Sequence, residues 1–220
     1  MRISIFALAL LLAAIAIVYL CIPKEPRYQG RSLSQWLYQA QSSFNYSGGR
    51  SGSDPQWQSA SNALQNIGTN ALPLLLKWIS AKDSRQKAAL ISWINSCHFL
   101  HWYFPTAAEH REAACYGFLL LKDKAKPAWP SLVQHTYDKE STVRTASFLS
   151  LLASKADRNT VMPLCSRLIK DTEGDVHFNT AYWFHYYHPE DAEAAGAYRL
   201  YPQLRNEPTI LTDTNRPLLK

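Results

Sequence analysis

Downstream of residue 30 the apolar residues recur every three to four positions, and no stretch alternates with a period of two over the length of a strand. The elements this pattern predicts are helices. Leu33, Trp36, Leu37 and Ala40 fall at i, i+3, i+4 and i+7 behind Ser32, a side chain suited to capping a helix start. Ala60, Ala63, Leu64 and Ile67 mark a second helical face that stops at Gly68, where a C-terminal cap reaches positive φ without a Cβ penalty. Thr69 or Asn70 can then cap a third helix, with Pro73 in its first turn, where the missing N–H breaks no intrahelical bond. Leu72, Leu75, Leu76 and Ile79 carry its stripe. The expected unit is an antiparallel helical hairpin.

One hairpin leaves an apolar face wet, so the unit is expected to recur and stack. Placing Pro73 on Pro130 aligns Ala60–Leu76 with Gly117–Val133 without a gap, bringing Leu64 onto Leu121 and Ala71 onto Ala128. A further shift of 33 residues brings Pro130 onto Pro163, Asp138 onto Asp171, and Thr142-Val143-Arg144 onto Asp175-Val176-His177. The fold class expected is all-α: an α-solenoid of about four to five stacked antiparallel helix pairs. Two places depart from the repeat. Between Ile91 and Thr106 no Ala-x-x-Pro-x-Leu turn occurs, and the last unit replaces aliphatic residues with Tyr182, Trp183, Phe184, Tyr186 and Tyr187, as a terminal cap or a binding surface.

Val143-Arg144 with Ala146, Ala71-Leu72-Pro73-Leu74, Ala128-Trp129-Pro130-Ser131-Leu132 and Val161-Met162-Pro163-Leu164 resemble HEAT-type repeats, helix pairs whose first helix opens near a Val-Arg and whose second opens at an Ala-x-x-Pro-x-Leu turn. With the segments YQGRSLSQWL and ALQNIGTNALPLLLKWI, the chain from Tyr28 to Leu204 is similar to bacterial membrane-anchored or secreted HEAT-repeat proteins. That resemblance implies a HEAT-like superhelix and no particular activity.

The run Ile3–Ile22 carries no charge, and as a helix it spans roughly 30 Å, the hydrocarbon thickness of a bilayer. It predicts a single-pass transmembrane anchor over residues 1–23, with the repeat domain periplasmic or extracellular. The competing reading is a cleaved secretory signal at Ala14-Ile15-Ala16, giving a secreted protein. Ile17-Val18-Tyr19-Leu20, apolar where a cleaved signal turns polar, favours the anchor. A lipidated Cys21 is disfavoured by Leu20, which is not small. Residues 24–55 read as a short amphipathic helix followed by a flexible Gly/Ser linker. Gly48-Gly49-Arg50-Ser51-Gly52 lacks the Gly-Lys-Ser/Thr ending of a phosphate loop. Residues 56–204 read as the HEAT-like helical domain and 205–220 as a loose tail.

Charge and chemistry alter this picture little. The 220 residues carry 23 Lys+Arg against 17 Asp+Glu, a net +6 that permits an anionic partner without requiring one. Lys122, Lys124 and Lys126, and Lys82, Arg85 and Lys87, sit at predicted turns where a solenoid that bound nucleic acid or another anion would place phosphate contacts. Beyond Cys21, Cys97, Cys115 and Cys165 are an odd number at wide spacing, without CxxC, which is not a disulfide framework, and they read as small apolar residues packed between helices. Cys97, His98, His101, His110 and Cys115 supply metal-ligand types, as do His185 and His188 at i, i+3, but neither group has a compact zinc spacing. No GxSxG or local nucleophile–base signature is present. The expectation is therefore a tethered protein-interaction scaffold, not an enzyme, with no cofactor or metal. Its partner is an unidentified protein, nucleic acid and a small-molecule substrate being less favoured. The interaction surface is expected on a concave side lined by the second helices, which begin near Ala71, Ala128 and Thr160.

Overall fold

The computed structural model describes residues 25–46, 54–96 and 103–209. A two-stranded hairpin opens it. Strands β1 (Arg27–Tyr28) and β2 (Arg31–Ser32) pair antiparallel across Gln29 and Gly30, both at positive φ (49° and 77°), the backbone of a tight two-residue turn. The remaining elements are α1 (Leu33–Tyr46), α2 (Pro55–Ile67), α3 (Leu72–Ile79), α4 (Arg85–Ser96), α5 (Ala107–Leu121), α6 (Trp129–His135), α7 (Ser141–Ala153), α8 (Arg158–Leu168) and α9 (Gly174–Tyr187). Short turns α10 (Ala192–Ala195) and α11 (Ala197–Leu200) follow, with 3-10 segments at Gly68–Ala71, Lys122–Ala128 and Pro202–Asn206. Among the described residues the fold is all-α apart from the hairpin.

The predicted stripes form the core. Leu33, Leu37 and Ala40 of α1, Ala60, Ala63 and Leu64 of α2, and Leu75 and Ile79 of α3 are fully buried in one cluster, which continues through Phe118 and Leu121 of α5 and Leu151 of α7 to Phe184 of α9. Ser32 caps α1 as expected: its hydroxyl accepts from Gln35 N–H and the Gln35 side chain accepts from Ser32 N–H. Asp54 caps α2 through Gln56 N–H. Thr106 and Glu109 form a reciprocal capping box on α5.

Two pairs of helices run parallel, side by side. Tyr38 meets His110 and, further along both helices, Phe44 meets Tyr116, so α1 runs with α5. Arg144 of α7 reaches Asp171 just before α9, and Phe148 stacks on Phe184 further along, so α7 runs with α9. The 33-residue offset has a physical counterpart. Asp138 accepts from Glu140 N–H at 2.8 Å and Asp171 from Glu173 N–H at 3.0 Å. Each also binds a cation, Lys82 from the turn after α3 and Arg144 from α7 respectively. Val143 and Val176, matched by the same offset, are both fully buried.

Several expectations need correction. Thr69 and Asn70 do not cap α3; a 3-10 turn leads into it, and its N-cap is Ala71 with no side-chain bond. Pro73 and Pro130 both sit in the first turn of their helices, but Pro163 lies inside α8, because that helix starts a turn earlier at Arg158. Residues 205–209, expected loose, are tied down: Arg205 pairs with Glu193, the Glu207 carbonyl faces His185 Nε2 at 3.2 Å, and Thr209 is buried.

The membrane assignment also falls. No helix among the described residues is long and apolar enough to cross a membrane. The longest, α5, has 15 residues, about 22 Å, and carries Glu109, Arg111 and Glu112. The described residues thus supply no helix for the expected anchored, periplasmic or extracellular placement. The predicted anchor Ile3–Ile22 and the linker at Gly48–Gly52 lie outside the described residues.

Where α3 crosses α5, a Cβ on Gly117 would stand 2.5 Å from Leu75 Cδ2 and 3.3 Å from Leu37 Cδ2. Gly117→Val is expected to lower stability by about 1–3 kcal/mol through overpacking. Gly117→Ala should cost less, because the clashing atom ends a side chain that can rotate; urea unfolding of both variants measures the difference.

Candidate functional site: a graded groove on the first-helix row

The outer face of α5, α7 and α9 forms an open groove of about 500 Å³, walled at one edge by Phe44 of α1. Its lining on α5 is Arg111, Glu112, Cys115, Tyr116 and Leu119. On α7 it is Ser141, Thr142, Thr145, Ala146, Leu149 and Ala153, and on α9 Asp175, Asn179, Trp183 and Tyr187. Because the three helices are parallel, each reads the same way from N to C: charged or hydroxyl-bearing residues first, aromatic or aliphatic ones last. The groove therefore has a polar end and an apolar end. A smaller depression of about 340 Å³ continues from the polar end, sharing Arg111 and Thr142 and adding Lys82, Asp83 and Glu140.

Both cations at that end are engaged within the fold. Arg111 Nη1 donates to the Ala81 carbonyl at 2.5 Å, and burial pushes its guanidinium pKa down against the pull of Asp83 and Glu140. Lys82 Nζ holds Asp138 at 2.7 Å. Glu112, Glu140 and Asp175 are exposed and make no ion pair among the described residues.

Cys115 lies in the groove floor, where its surroundings disfavour the thiolate. Burial pushes its thiol up to about 11, and the sulfur sits 3.5 Å from Ser150 Oγ and 3.6 Å from the Ala146 carbonyl. A reactive cysteine needs its pKa lowered.

The other candidate residues are placed elsewhere. Cys97, His98 and His101 lie outside the described residues. His110 stacks on Trp78, ring centroids 4.5 Å apart, and faces Tyr38 Oη at 3.4 Å, so it and Cys115 serve different contacts. His185 is fixed between Tyr198 Oη and the Glu207 carbonyl, which separates it chemically from His188. Among the described residues only His188, Glu190 and Asp191 converge as ligand types, and Arg158 occupies both Asp191 oxygens at 2.6 Å. In the basic turns Lys87 pairs with Asp83, Lys126 with Asp123, and Lys124 donates to the Gln65 carbonyl.

No family model, curated protein or solved structure matches this chain. The site must be understood from its own geometry.

The expected surface on the second helices is not where the groove lies. Ala71 and Ala128, at their starts, are buried, and Leu72, Leu75, Leu132, Val161 and Leu164 are all turned into the core. The remaining apolar side chains of the short second helices, Leu74, Leu76, Trp129, Val133 and Met162, are partly buried against the core, whereas α9 carries a second stripe. On α9 the core takes Val176, Thr180 and Phe184, while Asp175, Asn179, Trp183 and Tyr187 form a second stripe at intervals of four. That spacing is the signal that identifies the groove residues. A further apolar surface exists on α4 and the segment after it, where Leu90 and Trp93 are 55% and 63% exposed and Tyr103 62%.

The carboxylates at the polar end link stability to pH. Asp83 is held below the usual range by Ala107 N–H and Lys87. For Asp138 and Asp171 burial pushes upward, but Lys82 with Glu140 N–H, and Arg144 with Glu173 N–H, outweigh it. Folded values below unfolded ones mean that the unfolded chain binds more protons as pH falls, so this stability is complete above about pH 4 and is lost below it. His110, pushed down by burial and by Lys87, adds an earlier loss that begins below about pH 6.5. The urea midpoint is expected to decline in two stages on acidification, and His110→Gln should remove the first only.

Proposed function

We propose that the chain is a non-catalytic protein-interaction module: a HEAT-like solenoid of stacked helix pairs whose row of first helices presents the graded groove to a segment of a partner protein. The observation that carries this reading is a mostly apolar groove, open to solvent and spanning three consecutive units, in a size range of about 300–1,000 Å³ common to binding pockets. Support for the repeat comes from Asp138 and Asp171, which perform the same pair of tasks 33 residues apart. Nucleic-acid binding has weaker support, since Lys82, Lys87 and Lys126 of the basic turns are paired locally with carboxylates. The raised Cys115 thiol speaks against nucleophilic chemistry in the groove.

Site-specific photocrosslinking tests the module reading. A photoreactive residue at Thr145, in the groove, is expected to give discrete protein adducts in cells, and one at exposed Lys139 should give none of them. Identical adduct patterns from the two positions, or no adduct from Thr145, would contradict the proposal.

A further inference from the structure

We infer that the segment this groove accepts is a cationic–apolar peptide, carrying Lys or Arg at the polar end and two or more large aliphatic or aromatic residues at the apolar end. The inference rests on the reading that the groove binds a partner segment, and it specifies that segment's chemistry.

The charge preference follows from which groups are already engaged. At the polar end Lys82 is neutralised by Asp138, whereas Arg111 donates Nη1 to the neutral Ala81 carbonyl and keeps its single charge. Glu112, Glu140 and Asp175 remain exposed without an ion-pair partner among the described residues. The chain as a whole carries +6, which at long range disfavours a cationic ligand. At physiological ionic strength, however, charges more than about 8 Å apart are largely screened, so the three local carboxylates, set against the one charge of Arg111, dominate at contact. An acidic rim on a basic protein selects for a cation, and it repels the acidic segments that the remaining surface would attract.

The apolar end sets the anchors. Trp183 and Tyr187 on α9, Leu149 and Ala153 on α7, and Tyr116 and Leu119 on α5 surround a space that water fills poorly and that a Leu, Ile or Phe side chain fills well. The distance between the two ends sets the spacing. Asp175 and Tyr187 are twelve residues apart on one helix, about 18 Å, so the cation and the last anchor stand roughly twelve residues apart in a helical ligand or five to six in an extended one.

Selection of phage-displayed random 12-residue peptides on the full-length chain, with counterselection on its Leu149→Glu variant, tests this. The expected result is a set of groove-dependent peptides rich in Lys or Arg on one side of an apolar pair, and a loss of about tenfold or more in affinity for the best peptide on Glu112→Lys/Asp175→Lys. Both carboxylates are exposed, so the charge-reversed chain should fold normally, as circular dichroism will show. Trp183→Ala replaces Leu149→Glu should the latter unfold. Groove-dependent peptides without a basic excess, or indifferent to the charge reversal, would overturn the charge assignment and leave the groove reading standing. Failure to recover any peptide sensitive to Leu149→Glu or Trp183→Ala would overturn both. So would a stoichiometric lipid adduct, seen by native mass spectrometry and lost in the groove variants, which would assign the groove to an amphiphile.

Discussion

Replacing Arg144 by alanine is expected to lower the stability of the chain by about 3–5 kcal/mol, the usual cost of removing one partner from a buried ion pair. Arg144 Nε and Nη2 hold the two oxygens of Asp171 at 2.9 and 2.6 Å, and the side chains are only 11% and 10% exposed. Nη1 also donates to the carbonyls of Asp138 and Lys139, so one guanidinium joins the turn before α7 to the turn before α9. Without it the Asp171 carboxylate stays largely buried, and two carbonyls lose their donor. Arg144→Lys should recover part of the loss but not the two-pronged geometry. A double-mutant cycle with Asp171→Ala, read by urea denaturation, should give a coupling well above the 0.2–1 kcal/mol typical of exposed pairs. The Arg158–Asp191 pair has similar geometry but leaves Arg158 61% exposed, so its removal should have a smaller effect.

The second large effect concerns the joint between α3 and α5. Leu75 is fully buried against Gly117. Leu75→Ala should cost about 2–5 kcal/mol. Leu75→Asp adds an unpaired buried carboxylate, and since a domain's entire stability is about 5–15 kcal/mol, that variant should lose the cooperative thermal transition of the α2–α3–α5 region. Leu164→Asp should act likewise on α8 and α9. Lys124→Ala should change stability by no more than about 0.5 kcal/mol, because Lys124 is exposed and its one bond, to the Gln65 carbonyl, can be replaced by water. Equal melting curves for Leu75→Asp and Lys124→Ala would count against this packing.

The helices were legible in the sequence wherever one apolar stripe met the core. Leu33, Trp36, Leu37 and Ala40 gave α1, and the Ala60-to-Ile79 pattern gave α2 and α3, because burial repeats every three to four residues and a glycine and a proline mark the break. The 33-residue offset was legible through Asp138 and Asp171, whose turn chemistry is local. Pro163 misled because proline restricts its own helix start only loosely, and Asp157 and Arg158 begin α8 a turn earlier. The anchor assignment rested on hydropathy and length alone, and the described helices contain no span to match it. The groove was not read because its residues are scattered over three helices. Asp175, Asn179, Trp183 and Tyr187 share a face, but whether that face is covered depends on neighbours that one helix does not reveal. Trp183 and Tyr187, left as either cap or binding surface, form one wall of that groove, while Phe184 and Tyr186 serve the core.

The most direct measurement is methyl-resolved NMR of the full-length chain during titration with a selected groove-dependent peptide. The account predicts saturable shifts at Leu119 and Leu149, with the core methyls of Leu75 and Leu132 unmoved. Shifts confined to Leu90 on the exposed face of α4, with Leu119 and Leu149 silent, would contradict it.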